Sequence, residues 1–304
     1  KLVTTAAALN ILGDEKRFLT RLFYKGNINE EGILNGNIYF VGGGDPTLGS
    51  DQVKGSAQLM DLMDSLSVAV KRAGIKKING SVFADALLFE GKDIPDDWYW
   101  IDIGNYYGAQ TSALSINDNL YKLYFKPANV VGSDAKVLRT EPEISGLTFN
   151  NFMKTGARGS GDNGYIYPSP GDFEAELRGT VPAGFNEFSI KGSIPDPPLF
   201  AAQYLTQKLE EAGVEVNDKA STLKERINYD DSKLIAKIKS PPVKDIVYII
   251  NKKSFNLYAE QLLKLMGLLE RGNVAIKDGI YVVEKFIKEN GIYAGGLDLE
   301  DGSG

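Results

Sequence analysis

A mixed α and β chain of more than one domain is what this sequence predicts, and three observations carry that reading. Helix-period apolar stripes alternate with short strand-like runs along the whole length. At 304 residues the chain is longer than a single hydrophobic core usually organises. Its middle third is dense in glycine and polar turn residues and leans toward β structure.

The elements follow in order. Lys1 to Leu12 is apolar nearly all round and stops at Gly13, the pattern of a buried helix closed by a glycine. Residues 18–24 and 37–41 read as strands flanking a polar turn at Glu30-Glu31-Gly32. Val53, Ala57, Met60, Met63, Leu66 and Val70 form one helical stripe ending near Gly74, with the methionines filling core rather than serving as ligands. A strand is expected over residues 80–88, and the aromatic segment 98–107 reads as a loop or strand edge. Residues 155–164 carry four glycines among polar side chains and read as a mobile surface loop. Asp196-Pro197-Pro198 opens a helix whose Phe200, Tyr204, Leu205 and Leu209 share a face that ends at Gly213. Ser240-Pro241-Pro242 opens another, with Ser240 as N-cap, and a last helix carries Ile276, Ile280, Val283 and Phe286 up to Gly291.

Composition removes whole classes of chemistry. A net charge of −6 and a pI near 5.0 disfavour a nucleic-acid partner, whose phosphates call for clustered Lys and Arg. No apolar run approaches the roughly 20 residues that span a bilayer, so neither a transmembrane segment nor a signal peptide is expected in this sequence. Having no cysteine excludes disulfides and thiolate chemistry. Having no histidine excludes a Ser-His-Asp triad and His-ligated zinc, and no EF-hand spacing is present, so neither metal nor cofactor is expected. A serine nucleophile in such a chain needs a lysine as its base, which burial or nearby positive charge can make basic enough at neutral pH.

Ser254-Phe255-Asn256 stands where a loop becomes a helix, a position that by itself reads first as an N-cap and that also suits a catalytic hydroxyl. Two other motifs are decoys. Gly42-Gly43-Gly44 is a tight turn after a strand, because a phosphate cradle would continue into Gly-Lys-Ser/Thr and a helix. Lys154-Thr155-Gly156 precedes Ser254 and runs into the glycine-rich stretch, the wrong order and setting for a catalytic strand; it is expected to be exposed.

Residues 245–262, centred on Ser254-Phe255-Asn256, resemble the second motif of the class C low-molecular-mass penicillin-binding proteins, which are serine D-alanyl-D-alanine carboxypeptidases/endopeptidases. Five further segments resemble the same family in order. They are Lys1 to Leu9, similar to the helix of the Ser-x-x-Lys motif; Gly36 to Leu48; Trp100 to Ala109; and Asp196-Pro197-Pro198, followed at the end by Asp301-Gly302-Ser303-Gly304. The resemblance implies a β-lactamase/transpeptidase-like catalytic domain in two pieces, residues 1–22 and 240–304. Residues 23–239 would be a large α/β and β-rich insertion comprising two smaller domains.

It also implies roles. Lys1 would be the base for a serine three residues ahead of it, Ser254 the proton relay, and Asn256 the holder of the substrate amide. Asp102 and Tyr107 would line a pocket for the diamino-acid side chain of a peptidoglycan stem peptide. The implied partners are that peptide and β-lactam antibiotics, the implied location is the periplasm or another extracytoplasmic envelope compartment, and the third motif would follow Gly304. A non-catalytic peptidoglycan-binding module, or a β-lactamase or esterase on the same fold, stays open as an alternative.

Overall fold

The computed structural model describes residues 1–89, 94–168, 172–292 and 296–304. Helix α1 (Leu2–Ile11) leads into strands β1 (Leu19–Ile28) and β2 (Ile33–Val41), helix α2 (Leu59–Arg72), strands β3 (Lys77–Ile78) and β4 (Val82–Asp85), and the single turn α3 (Trp100–Ile103). Seven strands follow: β5 (Leu120–Lys126), β6 (Lys136–Glu141), β7 (Thr148–Asn151), β8 (Lys154–Gly156), β9 (Asn163–Pro168), β10 (Glu174–Pro182) and β11 (Phe188–Ser193). Helix α4 (Pro197–Glu211), strands β12 (Glu215–Val216), β13 (Ser221–Thr222) and β14 (Leu234–Lys239), and helices α5 (Val243–Lys253), α6 (Asn256–Arg271) and α7 (Ile276–Glu289) complete the chain. The mixed α and β class is as the sequence predicts. Among the described residues no helix is long and apolar enough to cross a membrane.

Internal contacts divide the chain into two compact units. Lys1–Pro95, Thr111–Asp118 and Pro197–Gly304 form the first, and Asp96–Gln110 with Asn119–Asp196 the second.

In the first unit a seven-stranded sheet runs β12-β3-β2-β1-β14, with β4 also on β2 and β13 on β4. β1 and β2 pair antiparallel from Arg21↔Val41 to Ile28↔Leu34, and Gly32 closes their turn at φ +86. Helices α2 and α4 pack on each other and on this sheet. The other long helices, α1, α5, α6 and α7, share one apolar cluster that includes Ala7, Ala8, Ile250, Leu262, Met266 and Val283. In the second unit β5 lies between β11 and β6, while β10 pairs with β7, β8 and β9.

Several local expectations change in the fold. Helix α2 begins at Leu59, so Val53 and Ala57 precede it; Gly55 at φ +93 breaks the helical path, yet Val53 still joins the core. Residues 98–107, read as a loop or strand edge, hold α3 and the start of a 3-10 turn, Tyr106–Gly108, with Asn105 between them bridging antiparallel to Gly192. The glycine-rich stretch at 155–164 starts on β8, and Thr155 is buried with its hydroxyl accepting the Ala128 N–H at 2.9 Å. Ser240 does not cap α5, whose N-cap is Pro242; its hydroxyl accepts the Phe18 N–H at 2.9 Å instead.

The triple glycine is a packing device, as its tight-turn reading anticipates. A Cβ on Gly42 would meet the Ala113 carbonyl oxygen at 2.3 Å and one on Gly43 the Leu19 carbonyl oxygen at 1.9 Å, so only bare backbone fits.

Ile38 sits fully buried on β2, the strand that touches β1, β3 and β4. Ile38→Ala is expected to cost about 2–5 kcal/mol of stability. Urea unfolding followed by circular dichroism would show this as a lower midpoint with an unchanged slope.

Candidate active site

The site grows from α6. Residues Leu257 to Gly267 are all buried, so this helix is surrounded rather than laid on a surface. Polar groups within it therefore need partners from distant loops. Glu260, one turn beyond Asn256, takes the Gly302 N–H on Oε2 at 3.0 Å. Asp301 folds the same segment over itself: Oδ1 accepts the N–H groups of Ser303 at 2.9 Å and Gly304 at 2.5 Å, and Oδ2 accepts the Ser303 hydroxyl at 2.9 Å. Gly302 is required here, since a Cβ would lie 2.9 Å from the Ala259 carbonyl oxygen on α6.

Helix α1 closes against this strap. The Thr4 hydroxyl donates to the Gly302 carbonyl at 2.8 Å, and the Lys1 ammonium donates to the Ser303 carbonyl at 2.7 Å. On its other side the Thr5 hydroxyl reaches Asn251 Oδ1 at 3.1 Å, three residues before Ser254 on α5. Two of the segments singled out in the sequence, the first helix and the final Asp-Gly-Ser-Gly, are thereby bonded to each other, the first also to α5 and the second to the helix that opens with Asn256. Lys1 is half-buried, and burial lowers its pKa below the ordinary lysine value against the opposing pull of Asp301 and Glu260.

Ser254 links α5 to α6. It is exposed and left-handed, at φ 57 and ψ 42, and it caps the C-terminus of α5; Phe255 is the N-cap of α6 and Asn256 its first residue. The sequence places Ser254 at a loop-to-helix boundary, whereas the fold puts it between two consecutive helices. Its backbone is unusual for this chain: α1, α2, α4, α6 and α7 are followed by Gly13, Gly74, Gly213, Gly272 and Gly291, all at positive φ.

Asp102 and Tyr107 lie in the second unit, on α3 and the following 3-10 turn. Both are half-buried, and the structure brings them together: burial, the charge of Asp102 and a hydrogen bond to it push the Tyr107 hydroxyl up to about 12. Tyr106, 53% exposed, meets the Tyr107 ring edge-on at 5.0 Å. Lys154 of the decoy motif is exposed and ion-paired with Asp134 in that same unit.

Sequence reasoning missed Glu260. With Gln261 and Lys264 close by on the same helix, the sequence alone gives no sign that Glu260 is enclosed. It is 2% exposed, Oε1 has no hydrogen-bond partner, and burial with the nearby charge of Asp301 raises its pKa to about 7.

The profile of the D-Ala-D-Ala carboxypeptidase 3 (S13) family matches residues 1–304, and the chain belongs to that family. It is 27% identical over 310 residues to the D-alanyl-D-alanine carboxypeptidase of Actinomadura sp. (strain R39), covering 100% of this chain and 55% of that protein. It is 25% identical over 305 residues to D-alanyl-D-alanine carboxypeptidase DacB of Haemophilus influenzae, covering 100% of this chain and 60% of that protein. The crystal structure of penicillin binding protein 4 (dacB) from Haemophilus influenzae superposes with a TM-score of 0.80 at 23% identity, over 99% of this chain and 64% of that one. The chain thus spans a little over half the length of the curated relatives it matches.

Two outcomes follow from this geometry. Unfolded, Glu260 releases its proton near the ordinary value of about 4.3. Folded, it holds the proton up to about 7, so between these values its burial costs progressively more as pH rises. Glu260→Gln removes that cost, and the stability difference, variant minus native, should rise by roughly 3 kcal/mol between pH 4.5 and 8 in urea titrations. Ser254→Gly should stabilise the chain by about 0.5–1 kcal/mol in the same assay, the left-handed penalty relieved less the entropy of a glycine.

Proposed function

We propose that this chain is the Lys-and-Ser-x-Asn-bearing part of a serine D-alanyl-D-alanine carboxypeptidase/endopeptidase that acts on peptidoglycan stem peptides and cross-links and is acylated by β-lactams. The observation that carries the reading is the hydrogen-bonded junction of Lys1, Thr4 and Thr5 with Asn251, Glu260 and residues 301–304. It gathers three of the segments that resemble the family around one helix. Residues 1–22 and 240–304 act as the two pieces of the catalytic domain, supported by the apolar cluster common to α1, α5, α6 and α7. Residues 23–239 are the insertion.

In this reading unprotonated Lys1 takes the proton of a serine hydroxyl three residues ahead of it as that oxygen attacks the penultimate D-alanine carbonyl. Ser254 passes a proton to the leaving amine, its hydroxyl accepting from the lysine side and donating to nitrogen. D-alanine departs, and water then adds to the ester, returning the serine. The depressed lysine pKa supports the base, since an ammonium could not accept a proton. Asn256 holds the substrate amide. Asp102 and Tyr107 meet the diamino-acid ammonium, a role supported by their shared hydrogen bond and half exposure. A work site in the extracytoplasmic envelope follows from the substrate. The Haemophilus influenzae penicillin binding protein 4 has itself been crystallised with a β-lactam.

A fluorescent penicillin, denaturing electrophoresis and intact mass test the reading. The source polypeptide extended past Lys1 and Gly304 is expected to label covalently. In it Ser254→Ala should slow labelling by about a hundredfold or more, the usual scale for losing a proton-transfer group. Specific labelling of the 304-residue chain alone would overturn the placement of the nucleophile ahead of Lys1. A folded extended protein that stays unlabelled but binds peptidoglycan would replace the enzyme with a binding module, and rapid penicillin turnover would make it a β-lactamase.

A further inference from the structure

The segment Gly42 to Leu48 resembles a family signature, yet the proposed chemistry gives it no task. It leads into Ser50, which meets α6 at Tyr258. Asp45, 3% exposed, accepts the Thr47 N–H at 2.8 Å and the Thr47 hydroxyl at 2.7 Å, which fixes the turn. The Thr47 carbonyl takes the Ser50 N–H at 3.0 Å, and Leu48 O takes the Asn117 N–H at 2.9 Å. These bonds bring the Ser50 hydroxyl and the Asp118 carboxylate to one point. The Tyr258 hydroxyl meets both there, at 2.9 Å from Ser50 Oγ and 2.5 Å from Asp118 Oδ1.

Tyr258 is fully buried and stands two residues after Asn256. Its ring stacks on Phe255 at 4.6 Å and 26°, and Phe255 is the residue between Ser254 and Asn256. Immediately before Ser254, Lys253 donates to Gln52 Oε1 at 2.6 Å, and the Gln52 backbone N–H donates to Ser50 Oγ at 3.0 Å. Both sides of the Ser254 turn are therefore moored to one loop. The mooring carries strain: Asn117 at φ 53 and Asp118 at φ 57 are left-handed without being glycine, as is Ser254 itself. Such backbone persists only where surrounding contacts over-determine it.

We propose that Tyr258, with Asp118 and Ser50 as its hydrogen-bond partners, is a positioning residue that fixes the Ser254-Phe255-Asn256 turn for acyl transfer. The inference rests on the serine-enzyme reading for what the turn does, and on the mooring for how it is held. The hydroxyl and the ring have separable tasks: the ring fills core, while the hydroxyl sets the rotation and height of α6 at its first turn. Removing the oxygen alone therefore loosens the turn while leaving the core filled.

The test uses Tyr258→Phe and Asp118→Asn. Asparagine keeps an acceptor and tolerates the left-handed backbone. In the extended polypeptide Tyr258→Phe is expected to lower the labelling rate at saturating fluorescent penicillin by about tenfold or more, and Asp118→Asn to stay within about threefold of native. In the 304-residue chain, hydrogen exchange by mass spectrometry should speed up about tenfold at residues 253–257 in Tyr258→Phe, with α4 unchanged. Native labelling with an unaltered Tyr258→Phe rate overturns the inference. An unlabelled native protein defeats the enzyme reading, and exchange then decides the mooring: local acceleration sustains it, and no change, or uniform acceleration across both α4 and the turn, overturns it.

Discussion

A helix buried on every face is the constraint from which the site follows. An ordinary helix satisfies its polar side chains by turning them to water, and α6 has no such face between Leu257 and Gly267. Tyr258, Glu260 and Gln261 must be met by groups brought from elsewhere in the chain. Tyr258 takes Ser50 and Asp118, Glu260 takes Gly302, and Gln261 donates to the Ser112 carbonyl at 2.6 Å. Each partner lies outside the α-helices and strands, and each is at least 40 positions away in sequence. Buried polar networks of this kind specify one arrangement because every alternative leaves a group unpaired. The helix therefore aligns three loops, and its first turn is the Ser-x-Asn turn.

The electrostatics at Lys1 are a contest rather than a single effect. Burial disfavours its ammonium, while Asp301 and Glu260 favour it. Desolvation is the larger, so the net direction is downward, the one a general base needs. Glu260 moderates the contest, because a carboxyl that keeps its proton to about 7 exerts little pull below that pH. The carbonyl of Ser303 then orients the lysine without adding a full charge.

Much of this was legible in the sequence where the information is local. Helix ends followed their glycines, with α1, α4 and α7 stopping where Gly13, Gly213 and Gly291 foretell. The β1 and β2 strands flanked the Glu30-Glu31-Gly32 turn as read. The misreadings share a cause. Ser240 is placed as a helix cap by its neighbours Pro241 and Pro242, yet its hydroxyl is taken by Phe18, 222 positions away. Val53 and Ala57 fit the α2 stripe by period, but Gly55 takes the backbone out of it. Glu260 reads as one more helical carboxylate until α6 is known to be enclosed. Periodicity reports which face is apolar; it does not report what covers the other faces.

Ser254 sits where the strained backbone, the exposed surface and the buried network meet. A left-handed helix end is where glycine is cheapest, and the chain places glycine after five of its longer helices. At the end of α5 it places serine, accepting a penalty of about 1–2 kcal/mol. Packing cannot repay that, because the side chain is exposed. Local capping does not ask for it either, since the left-handed cap is a backbone requirement that a hydroxyl does nothing to meet. What the serine supplies that glycine cannot is an oxygen that both donates and accepts, held on a turn moored by Lys253 on one side and Phe255 on the other. Strain retained at an exposed hydroxyl, beside contacts that hold its backbone, is the arrangement that the proposed proton-relay role of Ser254 calls for.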